Sequence, residues 1–110
     1  MNQPKNTQAP AIFKKHLPVF NALGNPTRQK IIFLLADQTQ RSVHEVAAQT
    51  TLSRPAVSHH LKVLRQAKLV QVKRKGVRLY YSPLFETPYR MSQDFIQVLE
   101  KIIKQKGKNA

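Results

Sequence analysis

Between residues 53 and 67 (SRPAVSHHLKVLRQA) the apolar positions Val57, Leu61 and Leu64 recur at spacings of four and three, which is the period of a helix. At about 100° per residue they fall together, flanked by Ala56, His60, Val63 and Ala67. Arg54, Pro55, Ser58, His59, Lys62, Arg65 and Gln66 share the remaining arc of about 140°. Ser53 is a good N-cap, and Pro55 is tolerated in a first turn, where its missing N–H would have had no partner. A helix over residues 54–67 with one oily and one basic side follows. The basic side carries no acid, whereas a merely solvated face usually mixes both signs to gain i,i+4 pairs.

Just upstream, Ser42-x-x-Glu45 has the form of a capping box, in which the hydroxyl takes an amide three residues on and the carboxylate reaches back. Val43, Val46 and Ala47 continue at helical spacing, and the polar run 49–51 with Leu52 interrupts it. Residues 42–70 therefore predict two short helices joined by a tight turn. The second is suited to lie in the major groove of a duplex.

Elsewhere the pattern is read in order. Residues 1–10 (MNQPKNTQAP) are polar and hold two prolines, the composition of an unstructured arm. Residues 11–23 carry Phe13, Leu17 and Phe20 on one helical face, with Pro18 either kinking the helix or following its start. Gly24 ends that segment, Asn25 caps the next and Pro26 takes its first position. The helix over 26–36 holds five apolar residues in a row, Ile31 to Leu35, and is expected to be surrounded by protein. Residues 37–41 read as a polar loop. After the two short helices, 69–73 and 77–81 alternate apolar and polar around Arg74-Lys75-Gly76, a hairpin with one glycine for positive φ. Ser82-Pro83 and Thr87-Pro88 both read as cap-plus-first-residue pairs, the second opening a helix over 88–106 that Gly107 stops. On that helix Met91, Phe95, Val98, Leu99 and Ile102, with Ile96 and Ile103, cover an arc of about 160°.

The chain of 110 residues makes one domain with a modest core, here residues 11–106, between the arm and a short tail at 107–110. Its 19 Lys and Arg against 5 Asp and Glu give a net charge of +14, which points to a polyanionic partner. Between Glu45 and Glu86 there are eight basic residues and no acid. The longest apolar run, 31–36, is too short to span a bilayer, and residues 1–20 lack the apolar core of a signal peptide, so a cytoplasmic protein without membrane partners is expected. The absence of cysteine removes disulfides and thiolate metal sites. His59 and His60 point about 100° apart on a helix, His44-Glu45 lacks the second histidine of a His-Glu-x-x-His site, and His16 stands alone. No metal, no cofactor and no catalytic residue is assigned, because neither a phosphate-cradling loop nor an acid–base pair can be assembled.

The candidate chemistry is contact with double-stranded DNA. Arg54, Ser58, His59 and Lys62 would read or graze base edges from the second helix, while Arg65 and the hairpin cations Lys73, Arg74, Lys75 and Arg78 would hold phosphates. Four cations in six positions exceed what guarding a sheet edge requires. The broad oily face of the last helix, together with Phe13 and Phe20, is expected to form a homodimer interface made of Phe13, Phe20, Met91, Phe95, Val98, Leu99 and Ile102.

Four stretches carry a family resemblance. They are Phe20-Asn-Ala-Leu-Gly-Asn-Pro-Thr-Arg28, Ile31-Ile32-x-Leu-Leu35, Leu52-Ser-Arg-Pro-Ala-Val-Ser-His-His-Leu-Lys-Val-Leu64 and Lys75-Gly-x-x-x-Tyr-Tyr81. Over about residues 17–105 the chain resembles the ArsR/SmtB family of winged-helix repressors. The resemblance implies a mainly α winged helix-turn-helix fold with a small β-hairpin, a dimer through the terminal helices and an inverted-repeat operator whose occupancy blocks transcription. It also implies that Ser53, Arg54, Ser58 and His59 touch bases or phosphates and that His60 turns inward. The chain departs from the family's metal and thiol sensors: it has no cysteine, and its last helix offers only Asp94 and Glu100, six apart, without histidine. No effector is assigned. The rival expectation is a sequence-indifferent architectural or RNA-binding protein that owes its affinity to charge. A weaker third one is an adaptor whose last helix binds another protein.

Overall fold

Pro18 divides the first helical segment without disconnecting it. The structure, a computed structural model that describes residues 8–108, has α1 over Gln8–Lys15 and α2 over Leu17–Leu23. Proline lacks an N–H and its ring crowds the carbonyl four residues back, so regular helix stops before it. His16 takes φ −97° and ψ 5° at the joint, and Pro18 sits in the first turn of α2. The His16 N–H still donates to the Ile12 carbonyl at 3.2 Å, and the His16 carbonyl accepts from Val19 and Phe20, both at 3.1 Å. The result is a kinked rod. Of the arm expected over 1–10, residues 1–7 lie outside the described residues, and Gln8 to Pro10 form the first turn of α1.

Asn25 accepts the Arg28 N–H at 3.0 Å and starts α3, Pro26–Gln38, two residues longer than its pattern suggested. The expectation that protein surrounds this helix is corrected. Ile31 and Leu35 are fully buried, but Phe33 is 72% exposed. Consecutive apolar residues on a helix point about 100° apart, so the i,i+4 pair reaches the core and the residue between them does not.

The segment expected as a polar loop ends in a strand. β1, Arg41–Ser42, pairs antiparallel with β3, Arg78–Pro83, placing Arg41 opposite Tyr81 and Ser42 opposite Tyr80. On its other side β3 pairs with β2, Val70–Lys75, from Val70 opposite Pro83 to Lys75 opposite Arg78, so the sheet order is β1-β3-β2. Arg74 and Lys75 thus belong to the strand, and the turn is Gly76-Val77, with Gly76 at φ 63°. Ser82-Pro83 ends a strand rather than capping a helix. β1 reaches only Tyr80 and Tyr81, so the missing N–H of Pro83 leaves no β1 partner unsatisfied.

Between β1 and β2 lie α4, Val43–Ala48, and α5, Arg54–Gln66. The core joins Val19 and Ala22 of α2, Ile31 and Leu35 of α3, Val46 of α4, Val57, Leu61 and Leu64 of α5, and Ala67, Leu69 and Val70 beyond it. Each large aliphatic side chain in this set contributes about 1.5–3 kcal/mol by leaving water.

The last helix, α6, spans Glu86–Lys108 and corrects both expected ends. The Thr87 hydroxyl donates to the Lys68 carbonyl at 2.7 Å instead of capping α6, and Pro88 falls in the first turn, where its lost N–H had no intrahelical partner. Gly107 lies within the helix. The Phe95 ring packs against both Phe13 and Phe20, with centroids 4.8 Å and 5.1 Å away, so α6 packs on the kinked rod of α1 and α2.

Candidate nucleic-acid interface

Helix α5 is built as its pattern requires. The Ser53 hydroxyl accepts the Ala56 N–H at 3.3 Å and opens the helix, while Val57, Leu61 and Leu64 are fully buried. Arg54, Ser58, His59, Lys62 and Arg65 are all exposed on the opposite side. Burial of three aliphatic side chains fixes the rotation of the helix, and that rotation decides which residues face outward. No carboxylate accompanies them.

Helix α4, which precedes α5, has an equally ordered start. Ser42 accepts the Glu45 N–H at 3.2 Å and the Glu45 carboxylate accepts the Ser42 N–H at 3.0 Å, closing the capping box. The Glu45 carboxyl is held below its ordinary pKa, first by that backbone bond, with the Ser42 hydroxyl and the charges of Arg41 and Arg78 assisting. At the far end Lys68 takes φ 59°. Its N–H donates to Arg65 and the Leu69 N–H to Leu64, at 3.0 Å and 2.9 Å, the paired bonds of a Schellman stop.

The inward side of α5 is held by Arg28, a residue whose role the sequence did not disclose. Its Nε donates to the Ala22 carbonyl at 2.8 Å and its Nη2 to the Asn21 carbonyl at 3.0 Å, while Gln29 donates to Leu23 at 2.6 Å. These bonds satisfy the last carbonyls of α2. The third arm of Arg28, Nη1, donates to Nδ1 of half-buried His60 at 3.5 Å. Burial first, then the charges of Arg28 and His59, lower the His60 pKa, so the ring stays neutral and keeps the lone pair that Arg28 needs.

In the hairpin Lys73, Arg74, Lys75 and Arg78 are all exposed, as is Val77 at the tip. Strand alternation puts Lys73 and Lys75 on one face and Arg74 on the other. Lys75 Nζ lies 5.7 Å from the centre of the Tyr80 ring, which steadies one cation of the hairpin. Hairpin and helix converge on a cleft of about 380 Å3 bounded by Ser42, His44, Arg54 and Arg78. There Arg54 Nη2 donates to His44 Nδ1 at 2.5 Å. His44 was legible only as half of an incomplete metal motif, and nothing in its spacing to Arg54 signalled this bond.

The residues expected to pair two copies are divided by the structure. Val98 is 3% exposed and already covered, Met91 packs against the core, and Phe95 and Ile102 are half-buried. Phe13 (48%), Phe20 (38%) and Leu99 (53%) stay exposed, together with Leu17, Ile96 and Ile103. His16, expected to stand alone, is buried where α1 meets α2, and its Nε2 donates to the Asp94 carboxylate on α6 at 2.7 Å. Lys15 approaches the same oxygen at 3.7 Å. No helix among the described residues is long and apolar enough to cross a membrane.

Comparison with known proteins places this geometry among described ones. Residues 25–72, from the Asn25 cap to Val72 in the hairpin, match the family described as bacterial regulatory protein, arsR family. Transcriptional repressor SdpR of Bacillus subtilis (strain 168) is 42% identical over 66 residues, covering 58% of this chain and 70% of the repressor. An ArsR-like transcriptional regulator from Rhodococcus sp. RHA1 shares the fold, with a TM-score of 0.80 at 22% identity over 88% of this chain and 91% of its own. The solution structure of the homodimeric winged helix-turn-helix DNA-binding domain Mb0332 from Mycobacterium bovis, a possible ArsR-family regulator, is 28% identical. It superposes with a TM-score of 0.66 over 92% of this chain and 91% of that one.

Proposed function

This chain belongs to the arsR family of bacterial regulatory proteins, and on that premise we propose that it is a dimeric, sequence-specific DNA-binding repressor of transcription. It works in the cytoplasm and performs no catalytic step. One observation carries the reading: α5 presents Arg54, Ser58, His59, Lys62 and Arg65 to solvent without an acid, at a rotation fixed by fully buried Val57, Leu61 and Leu64. Ser58, His59 and Lys62 read base edges in the major groove. Arg65, Lys73, Arg74, Lys75 and Arg78 hold the backbone, and Ser53, whose hydroxyl caps α5, lies at its rim. Two copies joined through exposed Phe13, Phe20 and Leu99, with half-buried Phe95 and Ile102 beside them, set their α5 helices one duplex turn apart, about 34 Å, and so select an inverted repeat.

The test starts from fragments of the host genome selected by the protein, which define an operator. Mobility-shift titrations then compare operator with scrambled duplex at two salt concentrations. Ser58→Ala should reduce the preference for operator while leaving scrambled binding nearly intact. Arg74→Ala should weaken both alike and lower the salt slope by about 1. Equal losses on the two duplexes for Ser58→Ala count against base reading, and no preference in the wild type would favour a sequence-indifferent coating protein.

A further inference from the structure

The cleft between α5 and the wing brings together side chains from four elements: Ser42 of β1, His44 of α4, Arg54 of α5 and Arg78 of β3. Two guanidinium groups border it and no carboxylate does. Glu45 is the nearby acid, and its charge is felt by Arg78, but one of its oxygens is occupied by the Ser42 N–H at 3.0 Å. Among the described residues neither Arg54 nor Arg78 forms an ion pair. A guanidinium carries five N–H donors in one plane, and the bond to His44 Nδ1 uses one of those of Arg54. The remaining donors are left for an acceptor that the protein does not supply.

We propose that this cleft seats one backbone phosphate of the bound duplex, with Arg54 and Arg78 as its two cationic sides and His44 as the residue that positions Arg54. The proposal rests on the reading of the chain as a duplex-DNA binder, and it moves Arg54 from base edges to the backbone. Planar guanidinium forks match the oxygens of a phosphate. At about 380 Å3 the opening has room for a phosphate group. Its place between the start of α5 and the hairpin is where a strand bordering the groove would pass.

The experiment is a fluorescence anisotropy titration of the full chain against two duplexes of about three helical turns, one random and one selected from the genome, over a series of chloride concentrations. Arg54→Ala and Arg78→Ala should each weaken binding to both duplexes about fivefold, as for an exposed charge pair. Each should also flatten the slope of log affinity against log salt by about 0.9. His44→Ala should lose as much as Arg54→Ala, the double variant no more than either, and His44→Asn, which restores a short polar partner for Arg54, should recover most of the loss. All three positions are exposed, so the variants should fold, which circular dichroism is to check. A loss for Arg54→Ala confined to the selected duplex with the salt slope unchanged overturns the proposal, as does unaltered binding by His44→Ala. Inorganic phosphate should displace duplex from the wild type more than chloride of equal ionic strength does, and lose that advantage in Arg54→Ala. Wild-type protein that binds neither duplex removes the DNA-binding reading itself, whereas wild-type binding with unchanged variants removes the clamp alone.

Discussion

At the scale of single residues, the least expected feature is Lys68 in the left-handed region at φ 59°. An L side chain there costs about 1–2 kcal/mol, whereas glycine gives back about 0.5–1 kcal/mol through its freer unfolded chain. Lys68→Gly should therefore raise stability by about 0.5–1 kcal/mol, read as a higher urea midpoint at constant m-value. The Asp94 carboxyl, near the joint of the kinked rod, behaves differently. Its pKa is held below the ordinary value of 3.8, first by the hydrogen bond from His16, with desolvation opposing and the charges of Lys15 and His16 assisting. The unfolded chain thus binds this proton more readily than the folded one. The stability Asp94 contributes is complete above its ordinary value and is lost as pH falls through the lower folded value. Asp94→Asn should be less stable than wild type near neutral pH, and the gap between their melting temperatures should close in acid below that ordinary value of 3.8. A gap that persisted in acid would show that the ionised carboxyl is not what matters.

At the scale of elements, α5 separates two kinds of residue cleanly. Leu61→Ala on the buried side should cost about 2–5 kcal/mol, measurable by chemical unfolding. Ser58→Ala on the exposed side should leave stability unchanged, because nothing in the fold rests on its hydroxyl. This helix was legible because its cap and its apolar spacing agree over thirteen residues. Its end, expected at residue 67 and found at Gln66, was legible to one residue, although the left-handed stop behind it falls on a lysine instead of a glycine. β1 is two residues long, too short for any alternation, and it exists only because β3 lies beside it. Thr87 resembled a cap, but its hydroxyl serves the Lys68 carbonyl, a partner nineteen residues away that local pattern cannot reveal. The same holds for the candidate interface. The outward set on α5 follows from periodicity alone, whereas the bonds from Arg54 to His44 and from Arg28 to His60 join residues distant in sequence and needed the fold.

At the scale of the whole molecule, the chain is long for its size. Its extents are 59 × 25 × 20 Å and its radius of gyration is 18.0 Å, where a compact domain of this length would have about 13 Å. The 23-residue α6 accounts for much of this, with Ile96 and Leu99 about half exposed and Ile103 at 67%. For the dimer proposed above, Leu99→Asp should sediment as a monomer at micromolar concentration, keep its helical circular dichroism and bind operator more weakly. The short strand β1 also shapes the wing. It grips the central strand at Tyr80 and Tyr81 only, so the hairpin beyond those residues is a cantilever fixed at its root. Its free end can bend to follow a duplex of varying groove width while the root keeps the angle to α5. Backbone amides near the Gly76 tip should accordingly exchange with deuterium sooner than those of Tyr80 and Tyr81.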